Sequence, residues 1–253
     1  GGYDWLMSEI AAATLSRLTE HVYVLPGDGG QVRPWLGVVV TPAGTVLIDS
    51  GNGPAQAADL QRALDQVQAP PVTHILLTHH HWDHVFGNCV FPQATVVAHE
   101  LTQYHLQVMA GEPWSSAYIR EKAGDSPVRR ALGELMIQAV PDWTTFRVVP
   151  AGITFTDTFR LNLGGTQILM EHVGGQHEPD QCLIHTRPDN VLFLGDATYG
   201  RGRREQWDYA DLIAAHERFM AYEAAFYVEG HRNVADAARF RARITQLHNL
   251  AGR

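Results

Sequence analysis

The sequence predicts an α+β fold in which two β-rich stretches, roughly residues 18–100 and 145–232, are joined by a helical insertion and flanked by helices. Three observations predict it. Short β-branched runs bounded by Gly and Pro recur in both stretches. Helical spacing of apolar residues appears between and after those runs. Histidine, present 14 times, is concentrated just where one buried run ends.

In chain order, residues 21–25 (His-Val-Tyr-Val-Leu) and 35–40 (Trp-Leu-Gly-Val-Val-Val) read as strands. So does 45–49 (Thr-Val-Leu-Ile-Asp), which ends in the turn Ser50-Gly51-Asn52-Gly53-Pro54. Ala57, Leu60, Ala63, Leu64 and Val67 give residues 55–68 a helical spacing, which Pro70-Pro71 stops. Thr73-His74-Ile75-Leu76-Leu77 is a buried-type strand that runs straight into the histidines, and 94–98 is another strand. This order indicates a sheet with helices packed outside it. From about 100 to 140 the pattern is helical, punctuated by Tyr104, Trp114 and Tyr118. Strands are expected again at 146–149, 153–156, 159–163, 166–171, 182–185, 191–195 and 225–228, with helices at about 208–223 and 234–250. We read residues 7–253 as one domain carrying an insertion at about 101–145, and Gly1 to Leu6 as a remnant ahead of it.

Composition narrows the partners. A formal net charge of -8 disfavours nucleic acid and anionic membrane surfaces, which attract basic faces. No run approaches the ~20 apolar residues of a membrane span, and no secretory leader is recognisable. Cys89 and Cys182 stand in apolar surroundings and are expected to be free thiols of a reduced, cytoplasmic compartment. A small-molecule substrate is expected, and a homodimer is the assembly considered.

The chemistry lies in Thr78-His79-His80-His81-Trp82-Asp83-His84. In an extended segment i and i+2 point the same way, so His79 and His81 can converge on one ion while His80 points elsewhere. Asp83 and His84 then turn away and can bind a second ion beside the first. Imidazole and carboxylate are ligands that suit Zn²⁺, Mn²⁺ or Fe²⁺ and leave positions open for water. A solitary buried histidine, such as His21, His99 or His248, is ordinarily a hydrogen-bonded core residue. Desolvating four ligand-type side chains within six positions has a different logic, because without a metal it would be costly.

The run resembles the His-x-His-x-Asp-His signature of the metallo-β-lactamase fold superfamily. Further segments match that family's pattern in order: Asp49 after Val46-Leu47-Ile48; His177 in Gly174-Gly175-Gln176-His177-Glu178-Pro179-Asp180; Asp196 in Phe193-Leu194-Gly195-Asp196-Ala197; and His231 after Glu229-Gly230. The second departs from the family's Gly-His-Thr-Pro loop, with Gln before the histidine and Glu after it. The resemblance covers residues 20 to 232 and implies a four-layer αββα sandwich of two mixed sheets with the metal site at the sheet edges. It also implies two zinc ions, with Mn²⁺ or Fe²⁺ as alternatives. His79, His81 and His177 would hold one ion, Asp83, His84 and His231 the other, and Asp196 would bridge them. His172 is a competitor for the role of His177, although its neighbours suit a strand. Asp49 reads as the hydrogen-bond partner of a ligand histidine, or else as a turn-capping aspartate.

The implied reaction is attack by a metal-bridging hydroxide on an ester, lactone, thioester or amide, with Asp83 orienting or shuttling the proton of that water. Phosphoester or sulfate-ester hydrolysis is the alternative on the same ligand set. β-Lactam hydrolysis is disfavoured by Asp196, since the true β-lactamases have cysteine or serine near that place. A glutathione-thioesterase reading is weakened because only 22 residues follow His231, and an iron persulfide dioxygenase by the full seven-residue ligand set. Ala197-Thr198-Tyr199 resembles the lactonase segment in which a tyrosine sits over the metals, so Tyr199 is expected to donate to a substrate carbonyl. Trp114 and Tyr118, with Tyr104 and His105, are candidates for an aromatic lid. Arg201, with Arg203 and Arg204, is a candidate for binding a substrate anion.

Overall fold

The computed structural model describes residues 13–252. The elements run β1 (Ser16–Arg17), β2 (Val22–Leu25), β3 (Leu36–Thr41), β4 (Gly44–Ile48), α1 (Pro54–Gln66), β5 (Val72–Leu76), α2 (Trp82–Val85) and β6 (Thr95–His99). The insertion supplies α3 (Glu100–Ala110), α4 (Ser116–Ala123) and α5 (Pro127–Ala139), before β7 (Ile153–Phe155). The second half is β8 (Thr158–Leu163), β9 (Thr166–His172), β10 (Cys182–Arg187), β11 (Val191–Gly195), α6 (Tyr209–Met220), β12 (Phe226–Glu229), β13 (Ala235–Asp236) and α7 (Ala237–Ala251).

Two mixed sheets result. β1 to β7 lie in sequence order, antiparallel up to β4 and parallel from there on. The other sheet has the order β13-β12-β11-β10-β9-β8, with β11 and β12 parallel. Each half thus contains a hairpin, then a helical crossover to a parallel strand: β3-β4-α1-β5 in one and β10-β11-α6-β12 in the other.

Period-2 alternation fixes the layers. On β4, Leu47 faces outward to a core shared with Leu60 and Leu64 of α1, while Val46 and Ile48 face the second sheet. On β11, Val191 and Phe193 point into the same inter-sheet core, whereas Leu192 and Leu194 join Phe219 of α6 and Phe240 of α7. All five residues of each strand are buried, as expected of strands covered on both faces. Three cores between four layers give the αββα sandwich. Between the sheets, a Cβ on Gly37 would lie 2.3 Å from the Phe193 ring, so a side chain there would push them apart.

The strand expected at 146–149 does not form. This stretch is irregular and buries Val148 against the first core, and β7 already occupies the ladder position beside β6. Pro150, with no N–H, follows it directly. The helical 100–140 region is broken at Gly111 and Gly124, and Ser115 and Ser126 cap the helices that follow. The segment Gly1 to Leu6 lies outside the described residues. Among those described, no helix is long and apolar enough to cross a membrane.

Candidate metal centre

The strand ends bring the histidines and aspartates together. Asp49 follows β4, residues 78–84 follow β5, Asp196 follows β11, and His231 lies just past β12, so one parallel pair of strands in each sheet delivers these groups at its carboxyl ends. His177 comes from the 173–181 loop leading into β10 at the same edge.

Two ligand groups form. The donor atoms of His79, His81, His177 and Asp196 lie within 4.8 Å of one another, and so do those of Asp83, His84 and His231. Asp196 Oδ2 stands between the groups: 3.3 Å from His177 Nε2, 3.8 Å from His79 Nε2, 3.5 Å from His84 Nε2 and 3.6 Å from His231 Nε2. His231 Nε2 is also 2.9 Å from Asp83 Oδ2. All seven expected ligands therefore converge, and His172 does not join them. It sits on β9, bonded to the Pro179 carbonyl and stacked on His99 at 3.8 Å. His80 pairs with Asp180, and His21 with Asp189.

The donor set fits a cation. His79 Nε2, His84 Nε2 and Asp196 Oδ1 are buried with no hydrogen-bond partner, a costly state for polar atoms aimed at one another unless a shared partner satisfies them. The protein fixes which nitrogen faces inward. Asp49 accepts from the Thr78 N–H (2.8 Å) and hydroxyl (2.7 Å) and from His84 Nδ1–H (2.7 Å), so His84 Nε2 is the nitrogen that faces the site and offers its lone pair once the ring gives up its second proton. Because the Thr78 hydroxyl is donated to Asp49, its oxygen can accept from His79 Nδ1 at 3.1 Å, and this turns His79 Nε2 inward as well. Asp49 adopts a left-handed φ of 59°, unusual for a non-glycine residue and held here by those three donors.

Electrostatics agree with this reading. Burial lowers the His79 pKa well below the ordinary value, so the ring is neutral and able to ligate. Burial would also lower His84, but Asp196, Asp83 and Asp49 outweigh it and raise that pKa well above the usual value. Burial pushes Asp196 upward, yet His84, His79 and His231 hold it well below the carboxylate range, keeping it anionic.

The walls are also defined. Tyr199 packs edge-on against His177 with centroids 4.7 Å apart; burial first, then the Asp196 carboxylate, raises its pKa and keeps the phenol protonated. The Arg232 guanidinium lies 6.0 Å from the Tyr199 ring. Beneath, buried Glu229 takes the Thr198 hydroxyl and the Arg243 guanidinium. The lid candidates separate. His105 stacks on His80 at 3.8 Å, with Tyr104 beside it. Trp114 instead packs on Phe86 and Trp143, and Tyr118 bonds Glu112, so these two line a groove between α4 and α5. Arg201 pairs with Glu178, a residue to which the sequence alone assigns no role. Its one signal there is a glutamate standing where the family loop has threonine.

Gly230 permits the close approach of Asp196. A Cβ there would lie 2.2 Å from Asp196 Oδ1, and the backbone cannot yield easily because Gly230 N–H donates to Gly195 O and Gly230 O accepts from Trp35 N–H, both at 2.7 Å. Gly230→Ala is expected to leave the chain folded but to bind metal far more weakly, measured by elemental analysis after desalting. Wild-type loading would show that the carboxylate is not confined as described.

The family model described as "Metallo-beta-lactamase superfamily" matches residues 29–231. A "Probable metallo-hydrolase" of Mycobacterium tuberculosis and another of Mycobacterium bovis are each 26% identical over 213 residues, covering 73% of this chain. The chain spans 63% of the length of these curated relatives. Among solved structures, a metallo-beta-lactamase from Pontibacter korlensis superposes with a TM-score of 0.63 at 20% identity, covering 93% of this chain and 98% of that one. A metallo-beta-lactamase family protein from Thermus thermophilus does so with 0.63 at 19%, covering 91% and 80%. At such identities the likeness is one of fold. With the family pattern matched across most of its length and the sandwich in place, the chain belongs to the metallo-beta-lactamase superfamily.

Proposed function

We propose that the protein is a hydrolase that uses two divalent metal ions, zinc before Mn²⁺ or Fe²⁺, to cleave a small-molecule ester, lactone, thioester or amide. The observation that carries this reading is the placement of Asp196 Oδ2 within 3.3–3.8 Å of imidazole nitrogens from both ligand groups. Bound there, a pair of ions would lower the pKa of a water and polarise a carbonyl. The chain's own residues supply the rest. Asp83 Oδ2, 2.9 Å from His231 Nε2, is placed to orient the attacking water and accept its proton. Tyr199, protonated and against His177, donates its hydroxyl to the carbonyl oxygen as negative charge develops there. His79, His81, His84, His177 and His231 would hold the ions, and the first three turn their remaining ring nitrogens to Thr78, Glu178 and Asp49.

The test is metal analysis followed by a substrate panel. Near two equivalents of zinc per chain, with turnover of a lactone, thioester or ester, are expected. One iron and no zinc, or turnover of phosphodiesters or sulfate esters alone, would overturn the reading. In the same assay Tyr199→Phe should lower kcat about 10²-fold, the scale of a lost oxyanion donor, with metal content unchanged.

A further inference from the structure

We infer that Glu178 is a positioning residue for ligand His81, and that Arg201 anchors Glu178, so that the loop carrying Tyr199 and the His79-His81-His177 ligand group form one hydrogen-bonded unit. The inference rests on the metal-centre reading above.

Glu178 is 6% exposed, and a carboxylate so buried needs compensating partners. It has two, both on Oε1: His81 Nε2 at 2.9 Å and Arg201 Nη1 at 2.9 Å. The other ring nitrogen, His81 Nδ1, lies 3.0 Å from His177 Nε2, inside the ligand group. A neutral imidazole has one N–H. With that proton on Nε2 and given to Glu178, Nδ1 keeps its lone pair for the ion, and the anionic acceptor makes the ring a stronger donor ligand. Thus His81 binds through the opposite nitrogen from His79 and His84, and Glu178 is what turns it. Asp49 does the equivalent for those two rings from the other side. A threonine at 178, as in the family loop, would bring neither the reach nor the charge.

Arg201 completes the unit. Its side chain is 73% exposed, and a rim ion pair contributes little stability, so its consequence is positional. It lies between Gly200 and Gly202, two residues after Tyr199, and adds a tie beside those that Gln176 makes to Asp208. Through Arg201 the loop is fastened to the carboxylate that orients a metal ligand. His80, His81 and Glu178 also lie close enough to hold an ion by themselves. Glu178 Oε1 already receives His81 Nε2 and the Arg201 guanidinium, whose positive charge disfavours a second cation beside it, so Glu178 is assigned to orientation and not to ligation.

The experiment is a zinc competition titration of the full chain against a chromophoric chelator, with the visible spectrum of the Co²⁺-substituted protein as a second readout. Glu178→Gln should weaken one of the two metal equivalents about 10- to 100-fold, the usual effect of losing a ligand's hydrogen-bond partner, and change the Co²⁺ spectrum. The other equivalent should stay within about twofold, because its ligands do not touch Glu178. Arg201→Gln, a change of an exposed residue that does not threaten folding, should weaken the same equivalent by less and have no added effect in the Glu178→Gln background. Wild-type affinities in Glu178→Gln, multiplicative effects of the two changes, or a third ion lost with Glu178 while the other two are unaltered would each overturn the inference. Two ions bound without hydrolysis by the wild type would instead defeat the proposed function and leave the inference standing.

Discussion

Asp196→Ala is expected to lower kcat/KM by at least about 10³-fold, equivalent to about 4 kcal/mol of transition-state stabilisation. The reason is geometric. Asp196 Oδ2 faces four ligand imidazoles at 3.3–3.8 Å, and no other carboxylate among the described residues reaches both ligand groups. Without it, five imidazoles and Asp83 would have to hold two ions with one negative charge fewer between them. The two sites should therefore load unequally, with fewer than two equivalents retained after desalting. Asp196→Asn, of nearly the same shape, should fail almost as badly, which separates charge from packing. Full activity in either variant would refute the bridging assignment.

Asp49→Asn is expected to weaken metal binding about 10- to 100-fold with little change in fold. Two carboxylate oxygens here receive three donors: the Thr78 N–H, the Thr78 hydroxyl and His84 Nδ1–H. An asparagine offers one oxygen and one NH₂, so at least one of those donors must face another donor, at about 1–3 kcal/mol for the unsatisfied group. Asparagine tolerates the left-handed backbone at this position, so the substitution leaves the turn intact. Asp49 also helps keep His84 protonated when no ion is bound, and that proton must leave as metal enters. Affinity in the wild type should hence rise with pH, less steeply in the variant. Competition titrations at several pH values check both statements; an unchanged affinity would leave Asp49 as a mere turn former.

The candidate ligands are legible in the sequence because they stand at strand ends in short motifs, where a period of two or a neighbouring glycine marks the geometry. His79 and His81 can be paired from alternation alone. The resemblance places His177, Asp196 and His231, and the structure brings them within 4.8 Å of their partners. Sequence alone leaves Asp49 between two readings; in the structure it accepts three hydrogen bonds, two from Thr78 and one from His84. Other features lie beyond the reach of local pattern. Glu178 meets His81 across 97 positions of chain, and such a contact has no periodicity. The strand-like pattern in 146–149 is real, but a strand needs a free ladder edge, which β7 has taken. Trp114 looks like a lid residue because aromatics punctuate the insertion; the ring instead packs against Phe86 in the first core.

The contact of Gly37 with Phe193 bears on more than packing. One sheet supplies His79, His81, Asp83 and His84, and the other supplies His177, Asp196 and His231, so the spacing between the sheets is also the bite of the metal centre. A substitution in that core, at a residue that is not itself a candidate ligand, would alter affinity by changing the gap. The reverse holds by mass action: ions clasped across the edge would favour the closed sandwich over the unfolded chain. Chelation and heat therefore pull on the same seam.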